Sequence, residues 1–430
     1  MAGQASYSSE GTQTAVRWYP PAYDVRVESV PLPSIENPDD AIVKIKLGGL
    51  CGSDLHVYRG HEDVNAPLIC GHEFVGEVVA LGASFASSAS GRPVLYSSLH
   101  VGDKVVSPFT VTCGECHFCR VGSTCRCLHS QLFGIPALPG GQAQYVRVPK
   151  AGGTLFKIEG RMSQISDASL ILLGDILPTG VFAVLQAMQH PKLLPVFTSQ
   201  PYPFSSQPFA TMLQNNGTEL PQSLIREEDK VLTVAVVGLG PVGICAIVSL
   251  LDFLEKSKAA FKVVAIDPIE DRRKKVQEVY KLIDEKARGN GTFEVASIDE
   301  GKKIVNQWTN GTGCNAVLEI VGNNSALTLA YELVRPFGVI SSVGVHQGPQ
   351  LPFTGRQVYD KNVSFEFGRC PVRATLPIAL EVLLKHQDVF GGVGGAASLV
   401  EKIVGFDQAV ESYELFDKGK CGKVLFDPWR

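Results

Sequence analysis

The chain has 430 residues, 45% of them hydrophobic and 19% charged, enough for about two to three folded domains and too apolar for a disordered chain. Lys+Arg 39 against Asp+Glu 43 leaves a net charge of −4 with no run of five like charges, which argues against nucleic acid or an anionic membrane as a partner. The 11 cysteines are odd in number, and five crowd into residues 113–127, a pattern for metal in a reducing, cytoplasmic compartment rather than for a disulfide framework.

The polar N-terminal stretch, residues 1–14, lacks the basic start and apolar middle of a secretory signal. Alternation then predicts strands over residues 17–30 and 41–47, with Val43, Ile45 and Leu47 on one face. Next come Cys51-Gly52-Ser53-Asp54-Leu55-His56 and, after a loop, Gly71-His72-Glu73. Thiolate and neutral imidazole suit Zn²⁺, and a catalytic zinc needs three protein ligands and one open position. Cys51 and His72 can supply two of the three; a buried thiol and satisfied histidines are the bland alternative. Residues 74–81 form another strand candidate, 84–98 a serine-rich loop, and 101–106 a turn and strand. The first 150 residues or so therefore favour a β barrel or sandwich.

Cys113, Cys116, Cys119 and Cys127 are separated by two, two and seven residues. Four thiolates so placed can close a tetrahedral site, and Gly114 and Gly122 let the chain turn around an ion. With no open position the role is structural. Cys125 is spare and competes with Cys127 as fourth ligand. A zinc ribbon on nucleic acid is disfavoured by the acidic net charge.

Helical spacing appears over residues 167–173 and 180–189, separated by Pro178-Thr179-Gly180. Residues 191–224, rich in Pro, Ser, Gln and Asn, break the pattern and read as an insertion. The apolar stretch 231–254 has the hydropathy of a membrane span. Its glycines, Pro241 and Asp252 favour a buried strand turning into a buried helix. Within it, Val237-Gly238-Leu239-Gly240-Pro241-Val242-Gly243 holds Gly-x-Gly-x-x-Gly between an apolar strand and a helix pattern, the context for a pyrophosphate on a helix N-terminus. Residues 263–266 form the next strand, which ends on Asp267. Apolar stretches at 231–237, 263–266, 316–320 and 339–343 argue for a parallel sheet covered on both faces. Residues 376–384 and 406–415 look helical, and 423–426 form a last short strand.

These elements in this order resemble the zinc-dependent alcohol dehydrogenases of the medium-chain dehydrogenase/reductase superfamily, and the resemblance spans nearly the whole chain. It implies an α/β fold: a GroES-like β-rich catalytic domain at 1–178, completed by 369–430, and a Rossmann doubly wound parallel-sheet domain at 179–368. It implies Cys51, His72 and Asp175 as catalytic zinc ligands, where Asp175 could otherwise be a helix cap. It favours Cys127 over Cys125 in a structural site with Cys113, Cys116 and Cys119, so that two zinc ions bind per chain. Glu73 matches the acid beside the metal. Ser53 and His56 match a relay that carries the alcohol's proton by way of the cofactor ribose, and imidazole with its ordinary pKa of about 6.5 suits the outer end. Thr179, the glycine turn from Gly238 through Leu239, Gly240, Pro241 and Val242 to Gly243, Asp267 and Arg272 make up the NAD-binding set.

The function so implied is reversible hydride transfer between an alcohol and NAD, giving an aldehyde or ketone, by a homo-oligomer (dimer or tetramer). Asp267 favours NAD over NADP, its carboxylate outweighing the basic cluster Arg272-Arg273-Lys274-Lys275 that could otherwise clamp a phosphate. Ser53, one methyl smaller than the Thr of many relatives, suits secondary alcohols or polyols. Two departures stand out: the 191–224 insertion and Cys70, an unexpected thiol beside Gly71. The rival readings are a non-catalytic zinc-stabilised dinucleotide-binding protein and a zinc-free quinone reductase. A metal count separates both from the enzyme.

Overall fold

The computed structural model describes residues 7–86, 98–198, 227–346 and 350–430. Residues 199–224 of the insertion and most of the serine-rich loop lie outside them. The chain divides into two compact units, Met1–Pro178 with Cys370–Arg430, and Thr179–Arg369.

The first unit is β-rich. β1 (Thr12–Tyr19) and β2 (Asp24–Pro31) form an antiparallel hairpin. β3 (Ala41–Gly49) is the centre of the larger sheet; Val43, Ile45 and Leu47 are buried while Lys44 and Lys46 face solvent. This alternation is the period-2 signal of a half-buried strand. β4 (Leu68–Ile69) joins the hairpin on the other side of β1. β5 (Phe74–Leu81), β6 (Lys104–Ser107), β7 (Tyr145–Val148) and β8 (Phe156–Lys157) extend the larger sheet, with β5 and β7 both paired to β3. Val43, Ile45, Phe74, Val78 and Val105 fill its core.

The second unit is a six-stranded, all-parallel sheet: β9 (Leu232–Val237), β10 (Ala260–Ile266), β11 (Asn290–Ala296), β12 (Cys314–Glu319), β13 (Val334–Ser342) and β14 (Ser364–Phe367). Their order is β11-β10-β9-β12-β13-β14, so the winding reverses between β9 and β12, where doubly wound sheets bind ligands. Every residue of β9 and β12 is buried, which is why these strands read as unbroken apolar runs. The apolar stretch is β9 followed by the helix Pro241–Ser257, buried along most of its length. No single helix among the described residues is long and apolar enough to cross a membrane; one bent pair, Asp167–Gly174 with Ile176–Met188, has the length and composition, but most of its residues are buried inside the protein.

The chain then returns to the first unit. The helix Val372–Lys385 is followed by β15 (Val400–Val404), the helix Ala409–Asp417 and β16 (Lys423–Phe426). β16 pairs antiparallel with the end of β3, Leu425 opposite Gly49 and Phe426 opposite Gly48.

Two local expectations shift, and three strands were not expected. Pro178 does not separate two helices but lies in the first turn of Ile176–Met188, where its missing N–H has no intrahelical partner to lose. Residues 406–408 form a 3₁₀ turn before the last helix. β11, β14 and β15 carry no clear apolar pattern; each lies at the edge of its sheet, and partly exposed edge strands are short of the signal that buried ones show.

Candidate active site and metal-binding clusters

In the cysteine lobe, Cys113, Cys116, Cys119 and Cys127 bring their sulfurs together, with all ligand atoms within 4.8 Å of one another. Cys113 Sγ lies 4.0 Å from Cys119 Sγ, and Cys116 Sγ lies 3.9 Å from Cys127 Sγ. Four sulfurs at about 2.3 Å from a tetrahedral zinc would stand about 3.8 Å apart, so the lobe fits that ion. The N–H groups of Glu115 and Cys116 donate to Cys113 Sγ, and those of Cys113 and His129 to Cys127 Sγ, at 3.3–3.4 Å. Such donors favour thiolate. Burial pushes the Cys116 thiol up, but N–H groups around Leu128 and Cys119 outweigh it and bring it down to about 6. Gly114 and Gly122 take left-handed φ of 75° and 85°, which the winding of the lobe requires. Cys125 is outside the four-sulfur group, and all 11 cysteines are free of disulfides.

The second cluster is buried in the same unit. Cys51 follows β3, His72 precedes β5, and Asp175 stands between a 3₁₀ turn and the helix Ile176–Met188. Asp175 Oδ2 lies 3.4 Å from Cys51 Sγ and 3.3 Å from His72 Nε2. Donors about 2.0–2.3 Å from a tetrahedral zinc subtend similar separations. With three donors rather than four, the cluster leaves a coordination position for an exogenous oxygen. Burial raises the Cys51 thiol, and the carboxylates of Glu73 and Asp175 add to it. Burial opposes charge on His72, yet Asp54 and Asp175 outweigh it and hold the imidazole well above its usual range. Burial also opposes charge on Asp175, but its contact with His72 keeps it below the usual carboxylate range.

Two residues around this cluster had no role assigned from the sequence. Asp54 Oδ2 accepts the Cys51 N–H at 2.9 Å, and Asp54 Oδ1 lies 3.3 Å from His72 Nδ1. A carboxylate on the far ring nitrogen aims Nε2 at the shared site, the usual outer-shell device around metal-binding histidines. The signal was present: an acid three residues after the cysteine. Lys423 on β16 is 1% exposed and ion-paired to the fully buried Glu73. Gly49 makes room, since a Cβ there would press on the Glu73 carboxylate. Glu73 is therefore taken up by Lys423 and is not one of the three clustered donors. A lone lysine in the apolar run Lys423–Phe426 was the available hint. Ser53 is half-buried at the N-cap of the short helix Asp54–Tyr58, and His56 sits in that helix, its N–H donating to the Ser53 carbonyl at 3.2 Å.

In the second unit, Gly238 follows β9 with φ of 98°. A Cβ on Gly243 would overlap the Gly238 carbonyl, whereas Gly240 has nothing within 4 Å of that position. The helix Pro241–Ser257 starts at Gly240 with no side-chain cap, so its first N–H groups are available to an anion. Asp267, 2% exposed, accepts the Leu239 N–H on Oδ2 and the Ile269 N–H on Oδ1, both at 2.8 Å. Arg272 lies 3.6 Å from Asp267 Oδ2 and is half-buried, while Arg273 ties back to the Asp267 and Pro268 carbonyls. Thr179 is buried in the first turn of its helix. These groups fit a dinucleotide: an open cradle at Gly240, uncapped N–H groups and an acid at the end of β10.

Residues 37–159 match the alcohol dehydrogenase GroES-like domain family, and residues 241–384 match the zinc-binding dehydrogenase family. A zinc-type alcohol dehydrogenase B of Aspergillus flavus is 38% identical over 421 residues, 97% of this chain and 82% of that protein. A medium chain reductase/dehydrogenase of Acremonium is 38% identical over 348 residues, 80% of this chain and 98% of that protein. Among solved structures, an alcohol dehydrogenase from a Thermus species superposes with a TM-score of 0.69 at 29% identity, covering 96% of this chain and 99% of that one. With its GroES-like and Rossmann halves and two clusters of candidate metal donors, the chain belongs to the zinc-dependent alcohol dehydrogenase family of the medium-chain dehydrogenase/reductase superfamily, zinc-dependent oxidoreductases that act on alcohols.

Proposed function

We propose that this protein oxidises an alcohol to an aldehyde or ketone, reversibly, with NAD as hydride acceptor. In this reading Cys51, His72 and Asp175 hold a catalytic zinc, and Cys113, Cys116, Cys119 and Cys127 hold a structural one. The observation that carries it is the buried three-donor cluster, whose ligand atoms lie within 4.8 Å of one another. When bound, zinc supplies the Lewis acidity that lowers the pKa of an alcohol oxygen, and the nicotinamide takes the hydride.

The chain's own residues orient the reactants and move the proton. Asp54 fixes the His72 ring, and Lys423 holds the Glu73 carboxylate. Ser53 accepts the proton of the alcohol as it gives up its own toward His56, since a hydroxyl both donates and accepts. His56, in the same helical turn, is the outer group that releases it to solvent. Ser53 is one methyl smaller than threonine, which suits secondary alcohols or polyols. Asp267 stands where the adenosine ribose hydroxyls of NAD would be read. Its buried carboxylate would repel a 2′-phosphate more than the half-buried Arg272 would attract it, because Arg272 already lies 3.6 Å from that carboxylate and its solvent-facing side is screened. The eleven free cysteines suit a reducing, cytoplasmic setting, and the protein works as a homo-oligomer.

Metal analysis of purified protein should find two zinc ions per chain; one or none would defeat the two-site reading. Ser53→Ala should lower turnover about a hundredfold with zinc content unchanged. The ratio of kcat/KM for NAD over NADP, measured at one ionic strength, should favour NAD and shrink in Asp267→Ser. A wild-type preference for NADP would refute the cofactor assignment.

A further inference from the structure

The carboxyl ends of β12 and β13 carry a polar cluster outside the groups considered so far. Glu319, the last residue of β12, is fully buried. Its Oε1 accepts the N–H groups of Val321 and Gly322, both at 2.8 Å. Its Oε2 accepts the Ser342 hydroxyl at 2.6 Å. His346 Nε2 lies 2.7 Å from Ser342 Oγ and 3.2 Å from Glu319 Oε2. These three residue types also make hydrolytic triads, but here hydroxyl and carboxylate meet the same ring nitrogen. A triad needs them on opposite nitrogens and a presented nucleophile, and Ser342 is 1% exposed.

What the cluster does is fix an imidazole and its tautomer. Ser342 has one proton, and it goes to Glu319. The short contacts from His346 to both oxygens therefore require Nε2 to carry the donated proton. In the neutral ring Nδ1 is then a bare acceptor, and no described residue hydrogen-bonds to it. The ring is braced edge-on against Phe367, with centroids 5.4 Å apart. The segments after β12 and β13 pack backbone to backbone, since a Cβ on Gly344 would overlap the Gly322 nitrogen. Val321 and Val345, which flank the cluster in sequence, are 44% and 43% exposed. A rigid acceptor beside two uncovered valines has the makings of a subsite for a flat heteroaromatic ring with an amide donor.

The winding of the sheet says which ring. A dinucleotide on the glycine turn after β9, with its adenosine half at Asp267 just after β10, extends its other half toward β12 and β13, because the strand order reverses between β9 and β12. We propose that His346 is a specificity-determining residue for the nicotinamide half: its Nδ1 accepts a hydrogen bond from the carboxamide NH₂, with Ser342 and Glu319 as positioning residues. The proposal rests on the dinucleotide reading above. It implies that the site rejects a ring carrying carboxylate in place of carboxamide, since two acceptors would then face each other.

The test is equilibrium binding, followed by quenching of protein fluorescence at mildly alkaline pH. The ligands are NAD, nicotinic acid adenine dinucleotide and ADP-ribose, and the proteins are the wild type, His346→Ala and His346→Gln. Wild type should prefer NAD over its nicotinic acid analogue. His346→Ala should weaken NAD binding about three- to tenfold, the range of one hydrogen bond, and lose most of that preference. His346→Gln, which keeps an acceptor, should recover part of both. ADP-ribose lacks the nicotinamide, so its affinity should stay within about twofold across the variants. An unchanged NAD preference in His346→Ala would overturn the proposal. So would equal weakening of ADP-ribose and NAD, which would mean that the histidine only supports the fold. Wild-type protein that binds none of the three ligands would overturn the dinucleotide reading itself, and this assignment with it.

Discussion

The cysteine lobe takes all four of its donors from residues 113–127, whereas the Cys51–His72–Asp175 cluster joins three separate segments, with Cys51 and Asp175 124 positions apart. The lobe is shaped by its own short loop, two left-handed glycines and backbone N–H groups on sulfur. The second cluster is shaped by its neighbours: Asp54 turns the histidine, and Lys423 draws off Glu73. Four donors close a tetrahedral site; three leave one position open. The same unit thus contains one donor cluster whose ion, if bound, would hold a loop together and another whose ion would meet a substrate. What separates them is the number of donors and the distance along the chain over which they are gathered.

The largest expected effect breaks the two apart. Cys51→Ala should cut kcat by about a thousandfold or more, the scale of the several kcal/mol that a Lewis-acid metal supplies. It should leave one zinc per chain and the melting temperature nearly unchanged. Cys116→Ala should do the reverse, lowering the melting temperature by about 10 °C because metal binding there is folding free energy. If both variants lost stability equally, the division of roles would be wrong.

Lys423→Met sharpens the role of the neighbours. It strands a fully buried carboxylate, and breaking one side of a buried pair costs about 3–5 kcal/mol, readable by chemical denaturation. Adding Glu73→Gln should recover most of the loss, whereas additive losses would show that the pair does not act as a unit. Asp54→Asn should weaken zinc at the open site by about 10- to 100-fold without touching the lobe; competition against a chromogenic chelator measures both sites. The smallest effect falls on Cys70. Burial, reinforced by Asp54, pushes its thiol up to about 12. It therefore stays protonated at neutral pH and should resist iodoacetamide in the native protein. Cys70→Ala should keep turnover within about twofold, and rapid alkylation at this position would refute the reading of Cys70 as an inert, buried thiol.

Legibility followed locality. The cysteine spacing, the glycine turn and the unbroken apolar strands were visible because each constrains only a few consecutive residues. Ligand geometry limits how far apart sulfurs can stand, a positive φ selects glycine, and burial on both faces removes alternation. β11, β14 and β15 were not visible, since partly exposed edge strands carry little pattern. Asp175 was reachable only through the resemblance, because nothing in its own segment distinguishes a metal donor from a helix cap.

The sequence by itself therefore determined the parts: a lobe able to close around zinc, a turn able to seat a pyrophosphate, and a cysteine and a histidine in want of a third ligand. Only the tertiary structure decided the company those parts keep. Lys423 meets Glu73 across 350 positions of chain because β16 pairs with the end of β3, where Gly49 leaves space for the carboxylate. His346 meets Glu319 because β12 and β13 run parallel and, after a register shift at Cys314/Ala316, pair from Ala316 with Val339 to Glu319 with Ser342. Strand register is set by packing over the whole sheet rather than by the residues it brings together, so these pairs had no signature in either of the segments that form them.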